Sequence, residues 1–292
     1  MSAHCPMPIV VGAPRSGTTL LRFMLDAHPS MAIPPETGFM AAPALFDCDL
    51  STIAGFHSVV TGFPPDAPAW DDFGLDADDY RDELRALSPF TPSAGFRTFY
   101  RMYARRHRKP RYGDKTPIYC EHLPVVERFL PEAHFVHIIR DGRDASLSLR
   151  RTWFTPAQDM SSLAQYWQRM VLAGRRAGRR AAAYLEVSYE ELVLTAPRVV
   201  SRICEFIDLK FDPAMMRYWE RVPDRLREHR GRVAVDGRVL VTREQRLEQQ
   251  RLTTRPPQPD RLFRWKMEMT ASERQEFARA AGDTLSELGY EV

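Results

Sequence analysis

The chain has 292 residues, with 41 basic against 38 acidic side chains and a formal net charge of +3. That excess is too small for a nucleic-acid coat, although local cation clusters can still bind a small polyanion. Hydrophobic residues make up 44% and charged residues 27%, a globular balance on a chain long enough to bury a large core. No stretch reaches the ~18 apolar residues of a membrane span. Cys5, Cys48, Cys120 and Cys204 form no C-x-x-C pair, so neither a zinc site nor a redox motif is expected, and their spacing fits free thiols in a reducing compartment. The N-terminus lacks a basic region followed by a long apolar run. The expectation is a soluble cytoplasmic protein of one α/β domain over residues 1–292, with no metal.

Ile9-Val10-Val11 reads as a buried strand ending at Gly12. Thr18 to Ala27 reads as a helix with Leu20, Leu21, Met24 and Leu25 on one face, stopped by His28-Pro29. Met31-Ala32-Ile33 is a second short strand. Residues 40–110 carry many prolines, an acidic patch that includes Asp71 and Asp72, and a basic patch from Arg101 to Lys109; they predict loops and short helices forming a cap or substrate-binding insertion. His134 to Ile139 is the clearest strand, with His134 and His137 on opposite faces. Arg140 to Arg143 is a turn, and Asp144 is the expected N-cap of the next helix. A further amphipathic helix holds Leu163, Tyr166, Trp167, Met170 and Val171, and Tyr184 to Val187 is a strand. Pro197 opens a helix with Val199, Val200, Ile203, Phe206 and Ile207 on one face. The last helix starts at a Thr270/Glu273 capping box and ends before Gly289. Strands alternating with helices predict a parallel sheet covered on both faces, with ligands beyond the carboxyl ends of its strands.

Two loops sit at such ends. Gly12-Ala13-Pro14-Arg15-Ser16-Gly17-Thr18-Thr19 joins a strand to a helix, where Gly17 admits a close ligand and the first helical amides face it. The Gly12 to Gly17 spacing equals that of the nucleotide-triphosphate P-loop, but Thr18 stands where that motif has its lysine, and a cation, Arg15, lies inside the loop. This favours a ligand with a 5′-phosphate and a second anionic group over a magnesium triphosphate. Arg140 follows the next long strand, and Ser148 lies eight residues on; together they can grip one phosphate, or Arg140 can pair with Asp141 or Asp144.

These residues identify a resemblance. Pro14 to Leu20 resembles the 5′-phosphosulfate loop of sulfotransferases, and Ile139 to Asp144 with Ser148 resembles their 3′-phosphate segment. Val187-Ser188-Tyr189-Glu190-Glu191-Leu192 looks like their strand leading to a tyrosine near the adenine. The likeness covers roughly residues 8–215 and is strongest to the tyrosylprotein sulfotransferases and similar bacterial enzymes, through Leu25-Asp26-Ala27-His28-Pro29 and Glu36-Thr37. It implies a P-loop-like parallel sheet flanked by helices, with helical insertions. It also implies sulfuryl transfer from 3′-phosphoadenosine 5′-phosphosulfate (PAPS), leaving adenosine 3′,5′-bisphosphate (PAP), to a small-molecule, lipid, sugar or peptide acceptor. Arg15, Ser16, Gly17, Thr18, Thr19, Arg140, Ser148 and Tyr189 are the implied nucleotide contacts. Glu36 is the implied base and Lys115 a cation near the transferred group. The Lys-Thr-His segment of cytosolic sulfotransferases reads Lys115-Thr116-Pro117 here, so its histidine is absent, and His122 is the alternative base. Leu20 replaces an adenine-stacking tryptophan. The basic-glycine C-terminal segment is not evident, with Arg255 or Arg261 as candidate cations before Trp265-Lys266. The animal Golgi enzymes carry an N-terminal anchor that is not seen here, which counts against protein tyrosine as acceptor. A small-molecule kinase and a non-catalytic nucleotide-binding protein are the competing functions.

Overall fold

A computed structural model describes residues 5–292. Strand β1 (Met7–Val11) leads through the glycine loop into helix α1 (Thr18–Asp26), followed by β2 (Met31–Ala32), α2 (Ala42–Leu45), α3 (Ile53–Thr61), α4 (Ala77–Arg85) and α5 (Pro92–Arg106). Then come β3 (Arg111–Tyr112), β4 (Asp114–Lys115), α6 (Leu123–Phe129), β5 (Ala133–Ile139), α7 (Gly142–Arg150), α8 (Met160–Gly178) and β6 (Tyr184–Ser188). The chain continues through α9 (Tyr189–Leu194), α10 (Ala196–Phe206), α11 (Val222–Leu226), β7 (Arg232–Val233), β8 (Val239–Val241), α12 (Arg243–Gln250), α13 (Trp265–Glu268) and α14 (Ala271–Glu287).

The central sheet has the order β4-β1-β5-β6, and all its pairs are parallel. Parallel strands buried on both faces need continuous apolar runs, and every residue of β1 is buried. Alternation divides them between two cores. Ile9, Val11 and Phe135 pack on one side with α5, α8 and α14. Val10, Val136 and Ile138 pack on the other with α1 and α10. Val11 pairs with His137 in register, so the loops after β1 and β5 emerge side by side at the carboxyl end of the sheet, as the sequence predicts.

Three readings are corrected. Residues 40–110 hold more than loops and short helices, because α5 alone has fifteen residues. Thr91 caps it, accepting from Ala94 N at 3.2 Å, Pro92 opens it, and fully buried Phe96, Phe99, Tyr100 and Tyr103 form its inner stripe. Asp72 does not belong to a surface acidic patch. It is fully buried and binds Arg232 at 2.7 Å, Arg246 at 2.8 and 3.0 Å, and Arg230 N at 2.9 Å. Asp144 does not cap α7: Asp141 does, accepting from Arg143 N at 2.9 Å. Asp144 lies inside the first turn and accepts from the backbone of Phe263 and Trp265, both at 2.9 Å, which ties the C-terminal segment to α7.

Candidate active site

The loop after β1 has an unusual backbone. Gly12, Arg15 and Gly17 have φ of 153°, 69° and 96°. A Cβ on Gly12 would lie 2.4 Å from the Ile138 carbonyl oxygen, and one on Gly17 would lie 2.3 Å from the Tyr189 ring. Glycine at 17 therefore lets Tyr189 lie against the start of α1, whose first-turn amides have no intrahelical acceptor. The Arg140 guanidinium stacks 4.5 Å over the other partner in this arrangement, the Tyr189 ring.

The second loop meets the first. Arg15 Nε donates to Ser148 Oγ at 3.1 Å, and Arg140 donates to the Arg15 carbonyl at 3.2 Å. Arg140 also pairs with Asp144 at 3.2 Å; both are largely buried, so the pair belongs to the site wall rather than the surface. Burial, then the neighbouring Arg140, lowers the Arg15 pKa.

β4 brings the third element. Lys115 faces the loop and Asp114 the opposite side, by strand alternation. The Lys115 ammonium donates to Glu36 and lies 3.4 Å from Thr19 Oγ1. The Glu36 side chain is 56% exposed within the open cavity, where desolvation by the surrounding walls pushes its carboxyl up, but the Lys115 charge and hydrogen bond outweigh this and the pKa lies below the ordinary glutamate value. Burial lowers the Lys115 pKa, with Glu36 opposing.

All these groups open on one cavity of ≈ 1000 Å³. Its walls include Arg15, Gly17, Thr18, Thr19, Glu36, Lys115, Arg140, Ser148 and Tyr189. Ser16 is not on the wall: it is fully buried and its Oγ has no partner. His122 is also off the wall, which removes it as a base facing this cavity. Of the two C-terminal candidates, Arg261 lines the cavity and Arg255 does not; the Arg255 carbonyl accepts from Tyr218. Burial, then Arg264 and Arg251, lowers the Arg261 pKa, with Asp260 opposing.

Sequence reading missed His229, Arg232 and Arg246, which also line this cavity. Burial, then Arg246, lowers the His229 pKa to about 2, so this imidazole stays neutral. Arg232 and Arg246 are held in place by their shared partner Asp72, far away in sequence, and no local signal marks them.

The site suits a nucleotide with two separated anionic ends. Arg15, Arg140 and Arg261 all line the cavity, and the buried Arg140 Nε has no hydrogen-bond partner. Among the described residues, no group of three or more His, Cys, Asp or Glu could hold a metal ion. Nor is any described helix long and apolar enough to cross a membrane.

Comparison with known proteins agrees with this geometry. Residues 6–213 match the family model described as the sulfotransferase family. A Caenorhabditis elegans protein, protein-tyrosine sulfotransferase A, is 27% identical over 223 residues, which are 73% of this chain and 52% of that one, so the chain spans about half the relative's length. The solved sulfotransferase domain of the Synechococcus PCC 7002 olefin synthase superposes with a TM-score of 0.62 at 21% identity, covering 100% of this chain and 98% of that one. A mouse sulfotransferase solved with PAP gives 0.51 at 13% identity, covering 97% and 85%. With a family model spanning more than half its length and the same fold in solved members, the chain belongs to the sulfotransferase family.

Proposed function

We propose that the protein transfers the sulfuryl group of PAPS to a hydroxyl or amine of a small-molecule or peptide acceptor, with Glu36 as base. The observation that carries this reading is the Glu36–Lys115 pair beside Thr19, at the mouth of the loop that holds Arg15. When bound, the donor supplies a singly charged sulfuryl group on a phosphate that gains negative charge as it leaves. Arg15, Lys115 and the first amides of α1 face that charge, the electrostatic stabilisation expected to dominate such a transfer. Lys115 also keeps the Glu36 carboxyl ionised, the form able to take the acceptor proton. Thr18, Thr19, Arg140, Ser148 and Tyr189 hold the nucleotide, with Arg140 and Ser148 at the 3′-phosphate and Arg261 as a further cation; the buried Ser16 side chain is left out of this set. No metal is required for this chemistry.

The acceptor enters past Phe63, Pro64 and Ile118, an apolar wall that suits a hydroxyl on an apolar or aromatic body. We read the whole chain as one catalytic domain, with residues 40–110 contributing Phe63, Pro64 and Ala69 to the cap. Four free cysteines support a reducing, cytoplasmic setting. The test is ligand choice. PAP should raise the melting temperature well above the shift given by ADP or AMP at equal concentration. Equal shifts for all three, or a magnesium-dependent preference for ATP, would exclude the assignment and favour a kinase.

A further inference from the structure

Directly beneath the Glu36–Lys115 pair lies a second set of polar groups that the transfer does not use. Asp114, Tyr100 and Tyr119 are fully buried, and Thr37 and Thr116 nearly so. Thr37 Oγ1 donates to Asp114 Oδ2 at 2.7 Å, and the Tyr100 hydroxyl donates to the same oxygen at 2.9 Å. Thr37 Oγ1 lies 2.9 Å from the Tyr119 hydroxyl, which accepts from Met40 N at 3.2 Å. The Thr37 amide donates to Thr116 Oγ1 at 3.0 Å. The donors run in one direction: Met40 amide to Tyr119, Tyr119 to Thr37, Thr37 to Asp114. A carboxylate is the acceptor that can end such a chain.

Burying a carboxylate is costly unless it is well paired, and Asp114 Oδ1 lacks a well-formed hydrogen bond. The hydroxyls of Thr37, Thr116 and Tyr100 and the Lys115 charge offset the burial only in part, so the group calls for a role beyond packing. The geometry suggests one. Glu36-Thr37 and Asp114-Lys115 are two adjacent-residue pairs from segments far apart in the chain. In each pair one side chain, Glu36 or Lys115, reaches into the cavity, and the other, Thr37 or Asp114, bonds beneath it. The segments are therefore tied twice, by Glu36 with Lys115 above and by Thr37 with Asp114 below, and Thr116 adds a backbone bond.

We propose that Asp114 is a positioning residue, which anchors Thr37 and thereby fixes where the Glu36 carboxylate meets Lys115 and the acceptor. The proposal rests on Glu36 being the base. A base held by one salt bridge alone would swing about its own backbone, whereas anchoring the next residue fixes the backbone from which it projects. Displacing a catalytic group by about 1 Å costs on the order of 10²-fold in rate. Tyr100 on α5 joins the anchor to the helix that organises residues 40–110.

The test uses the full chain and five variants. Thr37→Val keeps the shape and removes the hydroxyl, Thr37→Ser keeps the hydroxyl, and Asp114→Ala removes the acceptor. Thr37→Val and Asp114→Ala should lower kcat on the order of 10²-fold. PAP affinity should be unchanged in both, and Thr37→Ser should restore kcat. In a Glu36→Gln background, Thr37→Val should cost nothing further, because residues acting through one group are not additive. Should Asp114→Ala fail to fold, the Val/Ser pair at 37 decides alone. A wild-type kcat in Thr37→Val, while Glu36→Gln has collapsed, overturns the positioning role and leaves the base reading standing. Parallel loss of kcat and PAP affinity in Thr37→Val also overturns it, since that marks general disruption. Wild-type turnover in Glu36→Gln removes the base and the proposal with it.

Discussion

Gly17→Ala tests whether the first loop is built around Tyr189. The residue has φ of 96°, and its new methyl carbon would lie 2.3 and 2.7 Å from two carbons of the Tyr189 ring. Left-handed backbone at a non-glycine residue costs about 1–2 kcal/mol. Overpacking a filled site adds about 1–3 kcal/mol, toward the low end because a ring at the cavity wall can swing aside. The sum is a loss of about 2–4 kcal/mol, which lowers the melting temperature by about 3–7 °C for a chain of this size. The displaced ring also leaves the Arg140 guanidinium that stacks on it, so PAP should no longer raise the melting temperature. Thermal denaturation with and without PAP reads both effects. Adding Tyr189→Ala removes the clash but not the backbone strain. The double variant should therefore be more stable than the sum of the two single losses, by about 1–3 kcal/mol, yet remain poor at binding PAP. Wild-type melting and PAP response in Gly17→Ala, or strict additivity in the double variant, would refute the packing argument.

Two further outcomes follow from the site. The acid limb of kcat/KM should fall below the ordinary glutamate range, because Lys115, with lesser help from Arg246 and Arg232, holds Glu36 ionised against desolvation by the cavity walls. Lys115→Met should move that limb upward and lower turnover on the order of 10²-fold; an unmoved limb in a pH–rate profile would show that Lys115 does not control the Glu36 charge. Asp72→Ala should cost about 3–5 kcal/mol by leaving Arg232 and Arg246 without their buried partner, and a denaturant midpoint close to wild type would contradict the assignment.

What could be read in the sequence was local. Val11, Gly12, Gly17 and the apolar face of α1 lie within about two dozen residues, and they locate the first loop without tertiary information. The second loop follows from the β-branched end of β5 for the same reason. Helix α5 was equally local, since Thr91, Pro92 and the Phe96, Phe99, Tyr100, Tyr103 spacing spell out a capped amphipathic helix; surrounding prolines obscured it. Asp72 and Asp144 were not readable. Asp72 looks like one more surface carboxylate among its acidic neighbours, and the arginines that bury it lie 160 and 174 residues away. Asp144 has the sequence position of a cap, and only the folded chain brings the Phe263 and Trp265 amides, 119 and 121 residues on, to its oxygens. Glu36 occupies a middle position. Its resemblance to the tyrosylprotein sulfotransferases implies a role, but its pairing with Lys115 depends on β4 lying beside β1.

The account turns on Glu36 as the group that takes the acceptor proton, and transfer from radiolabelled PAPS tests it most directly. The acceptor should be an aliphatic alcohol that stays protonated across the working pH range, so that no acceptor supplies its own anion. Glu36→Gln keeps the shape of the side chain and removes the basic oxygen. The account predicts that label transfer collapses in this variant while PAP still raises its melting temperature as in wild type. Label transfer at the wild-type rate from Glu36→Gln would contradict it.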